Sequence, residues 1–142
     1  MSKLDEQIKI LDFPEMGDER GNLVVIEGGT AIPFDVQRIF YIYGSDTTIR
    51  RGCHSNKRSE FVLVNVAGTS KVLVDNGEEK RIISLDKPRM GLYIKNNVWK
   101  EMYDFSEDSV LLVLSNEHYD ASEYIRSYED YLNWLKEIAD EA

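Results

Sequence analysis

The sequence has little of what ties, chelates or spans. It carries one cysteine, Cys53, so no disulfide can form within the chain. That composition fits a reducing compartment, and the expected location is the cytoplasm. No apolar run approaches the ~20 residues that cross a bilayer. The start, "MSKLDEQIKILDF", lacks the basic segment and apolar core of a signal peptide. Histidine is scarce too, with only His54 and His118. His54 stands two positions from Asn56, an amide in place of the second imidazole that a His-x-His metal motif would offer. No metal and no other cofactor are expected. Cations are few: 17 Lys and Arg against 26 Asp and Glu give a net charge of −9. Such a balance argues against nucleic acid and anionic membranes as partners.

The scarce positive charge is not evenly spread. From Arg38 to Arg58 the chain holds Arg38, Arg50, Arg51, Lys57 and Arg58 against a single acid, Asp46. A basic patch on an acidic protein suits a small anionic ligand, with a solvated rim as the plainer reading.

The length of 142 residues suits one domain, expected over residues 1–142, with no repeat or linker. Over the first 115 residues the chain reads as short strands and turns. "NLVVIEG", "VQRIFYIYG", "SVLLVLSN" and "GLYIKNNVWKEMYDF" are rich in aromatic and β-branched residues. "EFVLVNVAG" is apolar enough to be covered on both faces. Asn76-Gly77 between two β-like runs signals a tight hairpin. Many short strands at near-regular spacing predict a sandwich or barrel. The period then changes. Tyr124, Ile125, Tyr128, Tyr131, Leu132, Leu135 and Ile138 follow helical spacing, with Asp120 and Glu123 as a cap pair. A helix near 121–138 packed on the β body is expected, with a second subunit as its alternative neighbour.

The stretch "RGCHSNKRSEFVLV" runs from polar residues into an apolar strand. If extended throughout, one face carries His54, Asn56, Arg58, Glu60, Val62 and Val64, and the other carries Cys53, Ser55, Lys57, Ser59, Phe61 and Leu63. That is how a strand would look if it ran from the mouth of a barrel into its core. A metal-free histidine in a pocket suits proton transfer, because its ordinary pKa lies near 6.5. Asn56 can hydrogen-bond but cannot shuttle a proton.

Several stretches occur together and in order: "DERGNLVVIE", "IPFDVQRIFYIYG", "RGCHSNKRSEFVLVNVAGTSKVLVDNG" and "GLYIKNNVWKEMYDFSEDSVLLVLSNEHYDASEYIRSYEDY". The chain thereby resembles the sugar 3,4-ketoisomerases of the FdtA/QdtA-like (WxcM-like C-terminal) family, which are RmlC-like cupins. The resemblance covers about Ile8 to Tyr131. It implies an all-β cupin jelly-roll barrel with a C-terminal α-helix, and a homodimer that exchanges strands. It implies a dTDP-linked keto-deoxysugar in the barrel mouth, bound without metal, and a role in deoxyamino-sugar biosynthesis. The family's "RGxHxH" stretch falls on Arg51 to Asn56. His54 matches its first histidine and is the implied base, while Asn56 replaces the second. Arg20 and Tyr41 match the family's N-terminal arginine and its tyrosine in "YYI". Arg38 and Arg51, in the cationic run that also holds Lys57, match positions that meet the diphosphate. Lys100 stands where several members carry histidine, and could carry a proton if burial lowered its pKa.

The implied reaction is chemically coherent. A ketone at sugar C4 acidifies the hydrogen on C3. A base removes it to give an enediol, and reprotonation at C4 leaves the ketone at C3. Arg20, Tyr41 or Lys100 would steady the enediolate oxygen. The alternatives are a nucleotide-sugar binding protein without turnover, and an epimerase-type reaction on the same ligand class.

Overall fold

The computed structural model describes residues 1–141. Chain order is α1 (Lys3–Gln7), β1 (Ile8–Asp12), β2 (Glu15–Asp18), β3 (Gly21–Val24), β4 (Arg38–Tyr43), β5 (Arg51–Asn56), β6 (Phe61–Ala67), β7 (Ser70–Asp75), β8 (Lys80–Leu85), β9 (Met90–Ile94), β10 (Trp99–Tyr103), β11 (Val110–Ser115), β12 (Tyr124–Ile125) and α2 (Tyr128–Glu141). The strands form two five-stranded sheets, β1-β9-β6-β11-β4 and β12-β5-β10-β7-β8, and a separate β2-β3 ribbon. Pairing between named strands is antiparallel throughout. This is the expected jelly-roll body.

The main core lies between the two sheets. Phe61, Leu63, Leu92, Ile94, Leu111 and Val113 from the first sheet meet Val72, Val74, Ile83, Leu85 and Met102 from the second. Each such side chain stabilises the fold by roughly 1.5–3 kcal/mol when fully buried. β6 is covered on both faces, as its sequence predicted: Val62 and Val64 look outward into a second cluster with Phe13, Ile32 and Phe34. The outside of the second sheet is covered by α2. Tyr131 is fully buried there beside Trp99 and Ile125. Its hydroxyl lies 3.0 Å from the Asp75 carbonyl and 2.8 Å from that of Asn97.

The structure corrects three local expectations. The terminal helix starts at Tyr128, not near 121. Asp120 caps only a 3-10 turn over Ala121–Glu123, accepting from Ser122 N. Tyr124 and Ile125 then extend to pair with Asn56 and Ser55 as β12, because the open edge of β5 satisfies their backbone groups. The hairpin at Asn76-Gly77 is present but its loop is longer than the tight turn expected. Asp75 pairs with Lys80, and Asn76 Oδ1 accepts from Glu78 N and Glu79 N. Finally, "RGCHSNKRSEFVLV" is not one strand. β5 and β6 belong to different sheets, and residues 57–60 carry the chain between them. The pleat restarts after this turn, so Phe61 and Leu63, not Val62 and Val64, share an interior with His54.

Candidate active site

A cavity of about 590 Å³ opens between the two sheets. Its walls include Arg38, Arg51, His54, Phe61, Lys100 and Tyr124. β10 supplies Lys100 directly opposite His54 on β5. Regular alternation would put Arg51 and His54, three residues apart, on opposite faces. A β-bulge prevents this. Lys100 pairs with His54 and Glu101 with Gly52, leaving Cys53 as the extra residue. Gly52 (φ +79°) and Cys53 (φ +56°) both take left-handed backbone conformations there. Arg51 is thereby paired with Met102, whose side chain also faces the cavity. Glycine is required at 52, where a Cβ would stand 3.0 Å from Met102 Cε and 3.1 Å from the Lys100 carbonyl.

Lys100 is only 3% exposed. Its ammonium lies 4.4 Å from the centre of the Phe61 ring and donates to Asn56 Oδ1 at 3.0 Å. Burial drives its pKa down to about 7; the Glu123 carboxylate opposes that shift and Arg38 adds to it. His54 stacks at a tilt on Tyr124, with ring centres 4.8 Å apart. Burial, then the charge of Lys100, drives its pKa down to about 3, so the imidazole is neutral at pH 7. Its Nδ1 is buried without a hydrogen-bond partner.

Arg38 comes from β4 on the opposite sheet. One of its nitrogens donates to the Tyr124 hydroxyl at 3.2 Å, while Nε and Nη2 are buried and unpaired. Unpaired guanidinium donors in a cavity are costly unless an anion accepts from them. Arg51 and Arg126 stand exposed at the mouth.

His54, Lys100, Arg38 and Arg51 thus come together. Asn56 is behind the wall and meets the cavity through Lys100. The other candidates do not join them. Arg20 sits in the β2-β3 turn, 87% exposed, and pairs with Asp18. Tyr41 points outward from β4, 62% exposed and stacked on Tyr43. Strand alternation explains this, since the neighbours Phe40 and Ile42 take the inward positions. Lys57 lies over the Trp134 ring at 4.4 Å, on the far side of β5. Arg58 pairs with Asp120 at 2.8 Å, so the basic run divides between cavity and surface. His118 is exposed. Among the described residues no group of three His, Cys, Asp or Glu could hold a metal ion.

Sequence reasoning missed Tyr119, Tyr124, Arg126 and the buried Glu123. All four come from the chain around β12, of which Glu123, Tyr124 and Arg126 were read as part of a helix. The "EYIR" element contains three of them, and its meaning depends on a strand pairing that no local pattern announces.

Comparison with known proteins extends the geometry. A family model described as "FdtA: WxcM-like, C-terminal" matches residues 6–136. A TDP-4-oxo-6-deoxy-alpha-D-glucose-3,4-oxoisomerase of Aneurinibacillus thermoaerophilus is 40% identical over 130 residues, covering 92% of this chain and 94% of the relative. Among solved structures, the sugar 3,4-ketoisomerase QdtA of Thermoanaerobacterium thermosaccharolyticum, in complex with TDP, superposes with a TM-score of 0.90. The two are 42% identical, over 92% of this chain and 96% of QdtA. The TDP-quinovose 3,4-ketoisomerase WlaRB of Campylobacter jejuni gives a TM-score of 0.85 at 38% identity, over 89% of this chain and 97% of that protein.

Proposed function

Because the chain belongs to the FdtA family of WxcM-like C-terminal domains, we propose that it is a 3,4-ketoisomerase acting on a TDP-linked 4-keto-6-deoxyhexose. The observation that carries the reading is the facing pair at the cavity floor: a neutral imidazole, His54, opposite a buried ammonium, Lys100. His54 takes the proton from sugar C3, and its electron pair forms the enediolate. Lys100 steadies the enediolate oxygen and carries a proton, which offsets the loss of the second motif histidine at Asn56. The hydroxyl proton passes from O3 to O4 as a proton is returned to C4, which puts the electrons back on carbon and leaves the carbonyl at C3. No external oxidant is consumed. Arg38 and Arg51, with Arg126, hold the diphosphate; the unpaired Nε and Nη2 of Arg38 support this. The diphosphate's charge also raises the proton affinity of His54, which strengthens the base when substrate is bound. The test is to incubate the protein with TDP-4-keto-6-deoxyglucose in deuterated water and follow C3 and C4 by NMR. Deuterium entry and a 3-keto product are expected. Binding without either would leave a binding protein.

The working unit in this reading is a homodimer in the cytoplasm. The free Cys53 thiol suits a reducing compartment; among the described residues, no helix is long and apolar enough to cross a membrane. β4 ends its sheet and presents Ile39, Tyr41 and Tyr43 at 59%, 62% and 71% exposure. The β2-β3 ribbon carries exposed Met16 and Leu23 as well as Arg20. A second copy would cover this apolar surface and give Arg20 and Tyr41 a pocket to act on. Mixing Arg20→Ala with His54→Asn protomers tests it: activity returns only if Arg20 serves the partner's pocket.

A further inference from the structure

Glu123 is fully buried, yet it does not line the cavity. Every neighbour of its carboxylate is a donor. Asn56 Nδ2 donates at 2.8 Å, Arg58 N at 2.8 Å and Ser59 N at 2.9 Å, and the Ser59 hydroxyl makes a short bond. The Glu123 carbonyl accepts from Lys57 N at 2.9 Å. The residue therefore closes the turn between β5 and β6. Burial raises the proton affinity of the carboxyl, but the donors from Ser59, Arg58 and Asn56 outweigh it and keep the group ionised.

This arrangement has a consequence inside the cavity. A carboxylate only accepts hydrogen bonds, so the Asn56 amide must turn its NH2 toward Glu123. Its carbonyl is then left facing Lys100 Nζ, at 3.0 Å. The other groups facing Lys100 are His54 on β5, the apolar Val74 on β7, the Phe61 ring on β6 and the repelling Arg38 on β4. No carboxylate touches the ammonium directly among the described contacts.

We propose that Glu123 is a positioning residue that works from outside the cavity: through the Asn56 amide it orients the Lys100 ammonium and keeps it charged. Its kinetic meaning rests on the reading of Lys100 as a proton carrier. Asn56 is then the link between a buried carboxylate and a buried cation, a role that a non-titrating amide can fill.

The test reads Lys100 directly, by NMR titration of its Nζ and Cε in the full chain, apart from turnover. Glu123→Gln should lower the pH at which Lys100 loses its proton, by roughly tenfold in its ionisation constant. TDP affinity should not change. Asn56→Leu should lower it too, and the double variant should fall short of the sum, since both act on one path. An unmoved titration in a folded Glu123→Gln variant, or fully additive shifts, would overturn the inference. If Glu123→Gln does not fold, Asn56→Leu alone decides: an unmoved titration rejects the link. Turnover is a separate readout. The alkaline limb of the kcat profile should move with the Lys100 titration. A titration that shifts while the limb stays would uphold the role of Glu123 and remove Lys100 from the proton path.

Discussion

At the rim of the cavity Arg51 and Arg126 stand in water; at its floor Lys100 is 3% exposed and leans on an amide. Both regions are cationic, but they hold charge in opposite ways. A guanidinium keeps its proton at any physiological pH, and its fork matches a phosphate. A buried ammonium holds its proton loosely, here with a pKa of about 7. The rim suits a ligand whose charge is permanent. The floor suits a step in which charge moves. One protein therefore needs both kinds of cation, and burial decides which is which.

Breaking the floor while sparing the rim has the largest expected effect. His54→Asn should remove deuterium exchange and product, a loss of at least the ~10²–10⁴-fold typical of general acid–base catalysis. TDP binding by calorimetry should stay near the wild-type value, because in the proposed reading His54 meets the sugar and not the diphosphate.

Lys100→Met sharpens the same contrast. It should lower kcat by a comparable factor, again without loss of TDP affinity, while thermal stability is kept or raised because a costly buried charge is gone. The pH dependence follows from the sign of the shift. Lys100 has a pKa of about 7 when folded, against 10.5 ordinarily. Between these values the unfolded chain binds more protons, so stability rises with pH across that window. Lys100→Met should flatten the rise. Turnover should run the other way and fall as pH climbs through about 7, where the floor loses its charge.

Breaking the rim is the milder change. Arg51→Ala should weaken TDP by about 1.5–3 kcal/mol, the usual worth of a charged hydrogen bond. Added salt should narrow the gap, and kcat at saturation should change little. Gly52→Ala blurs rim and floor together. Its φ of +79° and the contact with Met102 Cε disfavour a side chain. A stability loss of about 1–3 kcal/mol is expected in chemical denaturation, with Arg51 and His54 losing their common face. Smallest of all is Lys57→Ala. That ammonium lies on Trp134 and not on the cavity. Its removal should leave TDP affinity and turnover unchanged and cost up to ~1 kcal/mol of stability, the worth of an exposed cation–π contact.

Much of the floor could be read from sequence, and less of the rim. His54 and Lys100 were legible because their motifs survive in order, and β6 because its apolar run is unbroken. Arg126 and Tyr124 were not, since residues 124 and 125 fit a helical period as well as a strand. Arg20 and Tyr41 belonged to the motif pattern, yet they stand outside the pocket of the chain that carries them.

The sequence by itself determined the all-β body, the terminal helix and the one histidine that the cavity holds. Those features rest on side-chain periodicity and residue chemistry, which act over a few positions. Only the tertiary structure decided that Arg51 shares a face with His54, that Asn56 serves Lys100, and that Glu123 anchors both. Each depends on a pairing of distant segments: β10 against β5, with its bulge, in the first two cases, and the closure of β12 on β5 in the last. Strand register is settled by burial and by hydrogen bonds across the sheet. No window of local sequence contains both partners.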